Sequence, residues 1–167
     1  MFDVYLENSL LAAGFDALQI AGPSGAVVLE QEVAITDGVV TIELVKGIEN
    51  PALSGIEIIA SSASVPTSTA TRINVGGDQF VDSTGKTWIA DNYFGGKGAA
   101  YGSCPKAIAN TVDDDLYCTN RWFAPWHGAP FVYQIPVPSS SQYQVRLHFA
   151  EIVSLRVAVD PFEYCRF

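Results

Sequence analysis

The sequence predicts an all-β sandwich, and three observations support this fold class. Short runs rich in β-branched residues recur along the first half and are separated by Gly, Pro and Asp, the residues typical of turns. No segment shows a convincing helical periodicity. Long loops crowded with aromatic residues lie between residues 88 and 126, ahead of two further predicted strands. An antiparallel sandwich with large loops at one end fits this pattern.

The first half reads as alternating strands and turns. The Asp37-Gly38 pair predicts a hairpin, because a tight turn at this point favours residues that tolerate positive φ. A stretch of Ser, Thr and Ala at 61–72 cannot supply a core, so we expect a flexible linker there. The predicted strands of this half are 27–29, 32–35, 39–44 and 56–59.

The second half resumes at residue 73 and ends in two predicted strands, 131–137 and 143–152. Pro136 and Pro138, followed by three serines, indicate a turn between two antiparallel strands. Tyr117 and His148 are expected to be structural residues and not ligand contacts or bases.

Composition and charge exclude several functions. The chain has 167 residues, of which 49% are hydrophobic and 16% charged, enough apolar material to bury a core. A net charge of −9 argues against nucleic acid, because phosphate binding needs clustered Lys and Arg. No apolar run is long enough for a membrane helix, and the N-terminus lacks the features of a signal peptide. We therefore expect no membrane insertion by this chain, and any export signal would lie outside it.

The metal-binding and redox residues give weaker signals. Cys104, Cys118 and Cys165 have no CxxC spacing and no accompanying histidine pair, so the sequence predicts neither a metal site nor a cofactor. Cys104 and Cys118 either form a disulfide in an oxidising compartment or remain buried thiols. The run at 113–115 consists of three aspartates, which either bind calcium or, as we prefer, form a solvated turn or a helix cap.

Eight segments together resemble a malectin or malectin-like domain. Those in the second half of the chain resemble the first half of such a domain, and those in the first half resemble its second half. The resemblance implies a jelly-roll-like β-sandwich of the galactose-binding-like type, which binds carbohydrate and is not an enzyme. The segments are INVGGDQFVDSTGKTWIADNYF (73–94), DDDLYCTNRWF (113–123), PFVYQIPVP (130–138) and YQVRLHFAEI (143–152), then FDVYLEN (2–8), FDALQIAG (15–22), VAITDGVVTIELV (33–45) and NPALSGIEII (50–59).

This order implies an unusual domain organisation. Residues 1–60 correspond to the C-terminal half of a malectin-like domain and 73–152 to the N-terminal half, with the linker 61–72 between them. Either the two halves form one circularly permuted domain, or they are fragments of two domains in a tandem array. The resemblance stops at 152. Because Val153-Ser154 can be encoded by a common splice-donor sequence, we expect the tail 153–167 to be non-native; a divergent genuine C-terminus is the alternative.

The resemblance also implies a carbohydrate site. Sugar rings stack their C–H faces on aromatic rings, and their hydroxyls need a few fixed polar partners. Tyr101 matches a loop tyrosine of the family, Trp122 in TNRW occupies the tyrosine of a TERY-like motif, and Glu49 stands where malectin has aspartate. Phe123 and Tyr93 are further candidates. Since two of these residues depart from the family pattern, the preference of malectin for diglucose is not carried over.

Other functions stay open at this point. Glycoside hydrolysis needs two facing carboxylates, and Glu49 with Glu151 or Asp91 could form such a pair, although no GxSxG or HExxH motif is present. The chain could also be a protein- or peptide-binding module of a malectin-like receptor ectodomain, or a binding module attached to a glycoside hydrolase. The resemblance places the protein in the secretory pathway, in the endoplasmic reticulum lumen or outside the cell.

Overall fold

A computed structural model describes residues 1–61, 70–96, 98–102, 107–123, 131–138 and 140–152. The tail 153–167, Cys104, Cys165 and most of the predicted linker lie outside the described residues. Within the described ranges the elements are β1 (Phe2–Leu6), β2 (Ser9–Phe15), α1 (Ala17–Ala21), β3 (Ala26–Ile35), β4 (Val39–Lys46), β5 (Ala52–Leu53), β6 (Gly55–Ala60), β7 (Ala70–Asn74), β8 (Phe80–Val81), β9 (Thr87–Ala90), β10 (Ala99–Gly102), α2 (Asp114–Tyr117), β11 (Thr119–Trp122), β12 (Phe131–Pro136) and β13 (Ser141–Ala150).

The strands form two large sheets and one small one, which confirms the predicted β-sandwich. The four-stranded sheet has the order β12-β4-β1-β2, and the six-stranded sheet has the order β3-β13-β6-β7-β9-β8. A three-stranded sheet, β10-β11-β5, lies beside them. Most neighbouring strands are antiparallel, and β7 and β9 are parallel.

The main core lies between the two large sheets. Burial alternates along β4 and β12, because successive side chains of a strand point to opposite faces. Each fully buried aliphatic or aromatic side chain of this kind stabilises the fold by roughly 1.5–3 kcal/mol relative to an exposed one. The four-stranded sheet contributes Val4, Ile42, Leu44, Phe131, Tyr133 and Ile135, and the six-stranded sheet contributes Ile56, Ile58, Tyr143, Val145, Leu147 and Phe149.

Strands from the two halves of the sequence alternate within the sheets. Strand β12 pairs with β4 along its whole length, and β13 lies between β3 and β6. Residues 1–61 and 70–152 therefore contribute to both large sheets. Strand β7 begins at Ala70, so residues 70–72, which the sequence analysis placed in the linker, pair with β6.

The prediction of a hairpin at Asp37-Gly38 is wrong. The turn has the expected local chemistry, since Gly38 has a φ of +80° and Asp37 Oδ1 accepts a hydrogen bond from Val39 N at 3.1 Å. However, β3 and β4 belong to different sheets, and so do β12 and β13. The two connections cross between the sheets side by side, with Val137 N donating to Gly38 O at 2.9 Å. Two paired strands therefore pass together from one sheet to the other.

The sequence analysis missed two short helices. Helix α1 begins after Asp16, whose side chain caps Gln19 N at 3.1 Å, and it ends at Gly22, which has a φ of +76°. These cap residues are standard helix start and stop signals, but five residues are too few to show a helical period. In the described part of the chain, no helix has the length and apolar character needed to cross a membrane.

Candidate functional site

The candidate site is built on one face of the small sheet. Strand β11 lies in its centre, with Tyr101 of β10 opposite Asn120, and with Ala52 of β5 opposite Trp122. Residues opposite each other in antiparallel strands share a face, and so do residues two apart on one strand. These four side chains therefore lie together on what we call the ligand face of β11.

The other face of β11 is fixed to the rest of the domain. Arg121 donates to Asp91 through both Nε, at 2.8 Å, and a terminal nitrogen, and it also donates to Gly98 O at 3.0 Å. The Tyr133 hydroxyl donates to the second oxygen of Asp91 at 2.7 Å. Thr119 Oγ1 donates to Asn74 Oδ1 at 2.9 Å. We call this side the anchored face.

Charge and burial reinforce this anchor. Burial alone would lower the pKa of Arg121, but the hydrogen bonds and the negative charge of Asp91 outweigh it, so the pKa is raised. Burial raises the pKa of Tyr133, and the Asp91 carboxylate raises it further. Arg121 therefore remains charged, and Tyr133 remains a hydrogen-bond donor, throughout the physiological range. The guanidinium of Arg121 also lies 4.4 Å from the centre of the Phe94 ring.

A cavity of about 330 Å³ opens over the ligand face. Tyr101 is 37% exposed there, while Asn120 is only 4% exposed. The structure thus brings together the two aromatic residues predicted to stack on the sugar. The residues that line this tryptophan cavity are Asn50, Ala52, Tyr101, Asn120, Trp122, Ala150 and Glu151.

A second cavity, of about 230 Å³, adjoins the first. The two cavities share the lining residues Asn50, Ala52, Ala150 and Glu151, so they lie side by side, and we call the two together the groove. Three of the lining residues are carboxylates, Asp16, Glu49 and Glu151, and no Lys, Arg or His lines either cavity among the described residues. This phenylalanine cavity is lined by Phe2, Phe15, Asp16, Ala17, Glu49, Asn50, Ala52, Phe149, Ala150 and Glu151.

The remaining predicted site residues lie in different places. Glu49 lines the phenylalanine cavity and accepts a hydrogen bond from the terminal amine of Met1 at 2.8 Å. Phe123 packs, partly buried, against the main core. Tyr93 is 37% exposed, with a φ of +66°, and its carbonyl accepts a hydrogen bond from Gln134 N at 3.2 Å. Neither Phe123 nor Tyr93 lines the groove.

Sequence reasoning missed Asn50 and Asn120 as site residues. The Oδ1 atoms of both are buried, and neither has a hydrogen-bond partner within the described part of the chain. A signal for Asn120 was present, because on a strand it shares a face with Trp122, two residues away. Asn50 lies next to Glu49 but gave no comparable signal.

The other polar clusters of the described residues serve the fold. The Tyr117 hydroxyl lies 3.0 Å from His148 Nδ1, and His148 Nε2 lies 3.3 Å from Glu57 Oε1. All three side chains are buried, and the His148 ring contacts Trp88 edge to face. Desolvation of Glu57 opposes its ionisation, but His148 and Arg72 outweigh it and lower the pKa. Tyr117 is buried in a second, smaller core, as the sequence predicted.

The aspartate run at 113–115 contacts backbone amides. Asp113 Oδ1 accepts from Ser83 N at 2.7 Å, and Asp114 Oδ1 accepts from Ile108 N at 3.1 Å. Asp113 also occupies the N-cap position of α2. Within the described residues, no three His, Cys, Asp or Glu side chains are grouped to hold a metal ion.

Cys118 is disulfide-bonded. Cys104 and Cys165 lie outside the described residues. Cys118 itself lies between α2 and β11, immediately before the strand that carries the ligand face.

Comparison with known protein families identifies the family of this chain. The model of the malectin domain matches residues 69–158, more than half of the chain, and the match includes Tyr101, Asn120, Trp122 and Glu151. It runs past residue 152 into the tail that the sequence analysis expects to be non-native. A search of curated proteins and a search of solved structures found no match. The chain belongs to the malectin domain family, whose members are non-catalytic carbohydrate-binding modules, typically of the secretory pathway or the extracellular space.

Proposed function

We propose that this chain is a lectin-like module that holds a sugar ring in the tryptophan cavity, with Trp122 and Tyr101 as stacking surfaces. The observation that carries the proposal is the ligand face of β11, where two aromatic side chains and a buried carboxamide surround one cavity. A pyranose has both an apolar C–H face and a rim of hydroxyls. This cavity offers matching apolar and polar groups.

The groove favours a neutral sugar over an acidic one. Its carboxylates accept hydrogen bonds from hydroxyl groups, whereas they repel the carboxylate of a uronic acid. Glu49 lines the neighbouring phenylalanine cavity. We therefore assign Glu49 as a hydroxyl acceptor for the part of the ligand that extends beyond the ring stacked on Trp122.

The first test is titration calorimetry with glucosides, galactosides and uronides. We expect weak binding of a neutral sugar, and a tenfold to hundredfold loss for Trp122→Ala or Tyr101→Ala, corresponding to roughly 1–3 kcal/mol. Tyr93→Ala is the matched control for Tyr101→Ala, since both tyrosines are 37% exposed and only Tyr101 lines the groove. Its affinity should stay within twofold of wild type.

Three results would contradict this proposal. One is the absence of heat with every sugar of the panel, accompanied by binding to a peptide partner in a pulldown, which would support the protein-interaction alternative. Another is turnover of a chromogenic glycoside, which would show catalysis. The third is an equal loss of affinity in Tyr93→Ala and Tyr101→Ala, which would place the site elsewhere.

We also propose that residues 1–60 and 73–152 form one circularly permuted domain. The groove needs both segments, since Asn50 and Ala52 come from the first and Tyr101, Asn120 and Trp122 from the second. Limited proteolysis between residues 61 and 70 should therefore leave two fragments that stay associated and still bind the sugar. Separation of the fragments under native conditions would favour the alternative, two half-domains from a tandem array.

The disulfide at Cys118 agrees with the family's location. Disulfides persist in oxidising compartments and are rare in the cytosol. We therefore propose that this module acts in the endoplasmic reticulum lumen or outside the cell. Full reduction under mild conditions without loss of thermal stability would argue against a structural role for the bridge.

A further inference from the structure

Asn120 carries a buried oxygen atom that the described part of the fold leaves without a hydrogen bond. The residue is 4% exposed, and its Oδ1 has no hydrogen-bond partner among the described residues. Nearly all buried polar side chains in folded proteins are hydrogen-bonded, because an unsatisfied one is destabilising. Its neighbours on the same strand, Thr119 and Arg121, are both bonded. This oxygen atom therefore needs an explanation.

The position of Asn120 explains why its oxygen has no partner in the described part of the fold. The residue lines the tryptophan cavity between Tyr101 and Trp122, so any ring stacked there has its hydroxyl rim near the carboxamide. Asn50 lines the same cavity and also has a buried, unpartnered Oδ1. Two buried carboxamide oxygens at one cavity, both without a partner among the described residues, are more simply explained by a shared ligand than by two independent defects of the fold.

A carboxamide suits a particular arrangement of ligand groups. It has two N–H donors and one carbonyl acceptor side by side, so it can donate to one hydroxyl and accept from the next. Rotation about the last side-chain torsion of Asn120 exchanges the positions of its oxygen and nitrogen. Asn120 can therefore present either group to the cavity.

We propose that Asn120, supported by Asn50, is the specificity-determining contact of the groove, and that it binds two neighbouring free hydroxyls of the stacked ring. This inference rests on the proposed function and extends it. The ligand class is a neutral pyranoside with an unsubstituted vicinal diol on the edge of the ring that faces Asn120. A ring substituted or deoxygenated at that diol leaves the carboxamide buried and unpaired, so it binds more weakly.

The test is a cycle of variants and deoxy sugars. The best neutral pyranoside of the calorimetry panel is compared with its mono-deoxy analogues, on wild type, Asn120→Leu and Asn120→Ala. On wild type we expect at least one deoxy position to weaken binding about tenfold. In both Asn120 variants the same deoxygenation should change the affinity less than twofold, because the carboxamide that would bind the missing hydroxyl is absent. Asn120→Ala keeps the test valid if the leucine side chain disturbs folding.

Trp122→Ala is the control for this cycle. Stacking does not depend on one hydroxyl, so Trp122→Ala should bind the parent sugar more weakly and keep the tenfold deoxy penalty. If deoxygenation of the sugar weakens binding to the Asn120 variants as much as to wild type, Asn120 does not bind the diol. The inference is then wrong, while the lectin function stands. If wild type binds no sugar at all, the proposed function fails, and this inference fails with it.

Discussion

The two faces of β11 differ in how completely their side chains are hydrogen-bonded. On the anchored face, Thr119 and Arg121 make four side-chain hydrogen bonds to Asn74, Asp91 and Gly98. On the ligand face, Asn120 Oδ1 has no hydrogen-bond partner among the described residues, and the side chain lies beside Trp122 at the edge of a cavity.

A strand that is held in place through one face can carry unsatisfied groups on the other. The hydrogen bonds of the anchored face fix the position of β11, and the ligand face carries a buried carboxamide oxygen with no partner among the described residues. A preorganised site of this kind loses little conformational freedom when a ligand binds. The two faces should therefore respond differently to substitution.

The largest expected effect is loss of the anchor through Asp91→Ala. The side chains of Asp91 and Arg121 are 9% and 20% exposed, so removal of the carboxylate leaves the Tyr133 hydroxyl without its acceptor and a mostly buried guanidinium without its counter-ion, with the hydrogen bond to Gly98 O still in place. Breaking a buried pair of this kind costs about 3 kcal/mol of unfolding free energy. Urea unfolding measures it, and sugar affinity should fall as well because β11 loses its position.

Glu30→Ala is the matched control for Asp91→Ala. Glu30 also accepts from one arginine and one neutral donor, Arg146 and Gln144, but its side chain is 47% exposed. An exposed pair contributes less than about 1 kcal/mol, so this variant should be nearly as stable as wild type. Equal destabilisation by the two substitutions would show that the anchored face owes nothing to burial.

A smaller effect, with opposite signs on the two faces, is expected from neighbouring residues. Thr119→Val removes the hydrogen bond to Asn74 and should lower the unfolding free energy by about 1 kcal/mol, with sugar affinity within twofold of wild type. Asn120→Leu removes the buried Oδ1 atom that has no partner among the described residues, and it should raise the unfolding free energy by about 1 kcal/mol. Thermal unfolding of both variants checks the signs.

Thr84→Val is the control for Thr119→Val. Its hydroxyl donates to Asp82 Oδ1 at 2.7 Å in an exposed turn, so the unfolding free energy should change by less than about 0.5 kcal/mol, as for most surface substitutions. If Asn120→Leu proves as destabilising as Thr119→Val, both faces of β11 serve the fold, and the contrast between them is lost.

Part of the candidate site could be predicted from the sequence because its residues carry a recognisable chemistry. Trp122 and Tyr101 were predicted as sugar contacts from the family resemblance, and the register of β10 and β11 places them on one face. Asn120 and Asn50 were missed, because an asparagine on a strand or in a loop has no chemical signature of its own. Only the cavity, and the absence of hydrogen-bond partners, distinguishes them from ordinary surface residues.

The turn at Asp37-Gly38 shows a different limit. The sequence there specifies a tight turn with positive φ, and the structure has one. Whether the flanking strands pair with each other depends on distant residues, since β12 pairs with β4 and β13 pairs with β3. Local turn chemistry is the same in a hairpin and in a crossing between sheets, so the sequence around the turn could not distinguish them.

By itself the sequence determined the fold class, the strand periodicity and the family, because β-branched alternation, turn residues and family motifs are local properties of the chain. The tertiary structure decided which strands are neighbours, how the segments before and after residue 61 share two sheets, and which side chains meet at the groove. These properties depend on pairing between residues far apart in sequence. Such pairs form when both sheets bury their apolar faces against each other, and no local pattern specifies the partner.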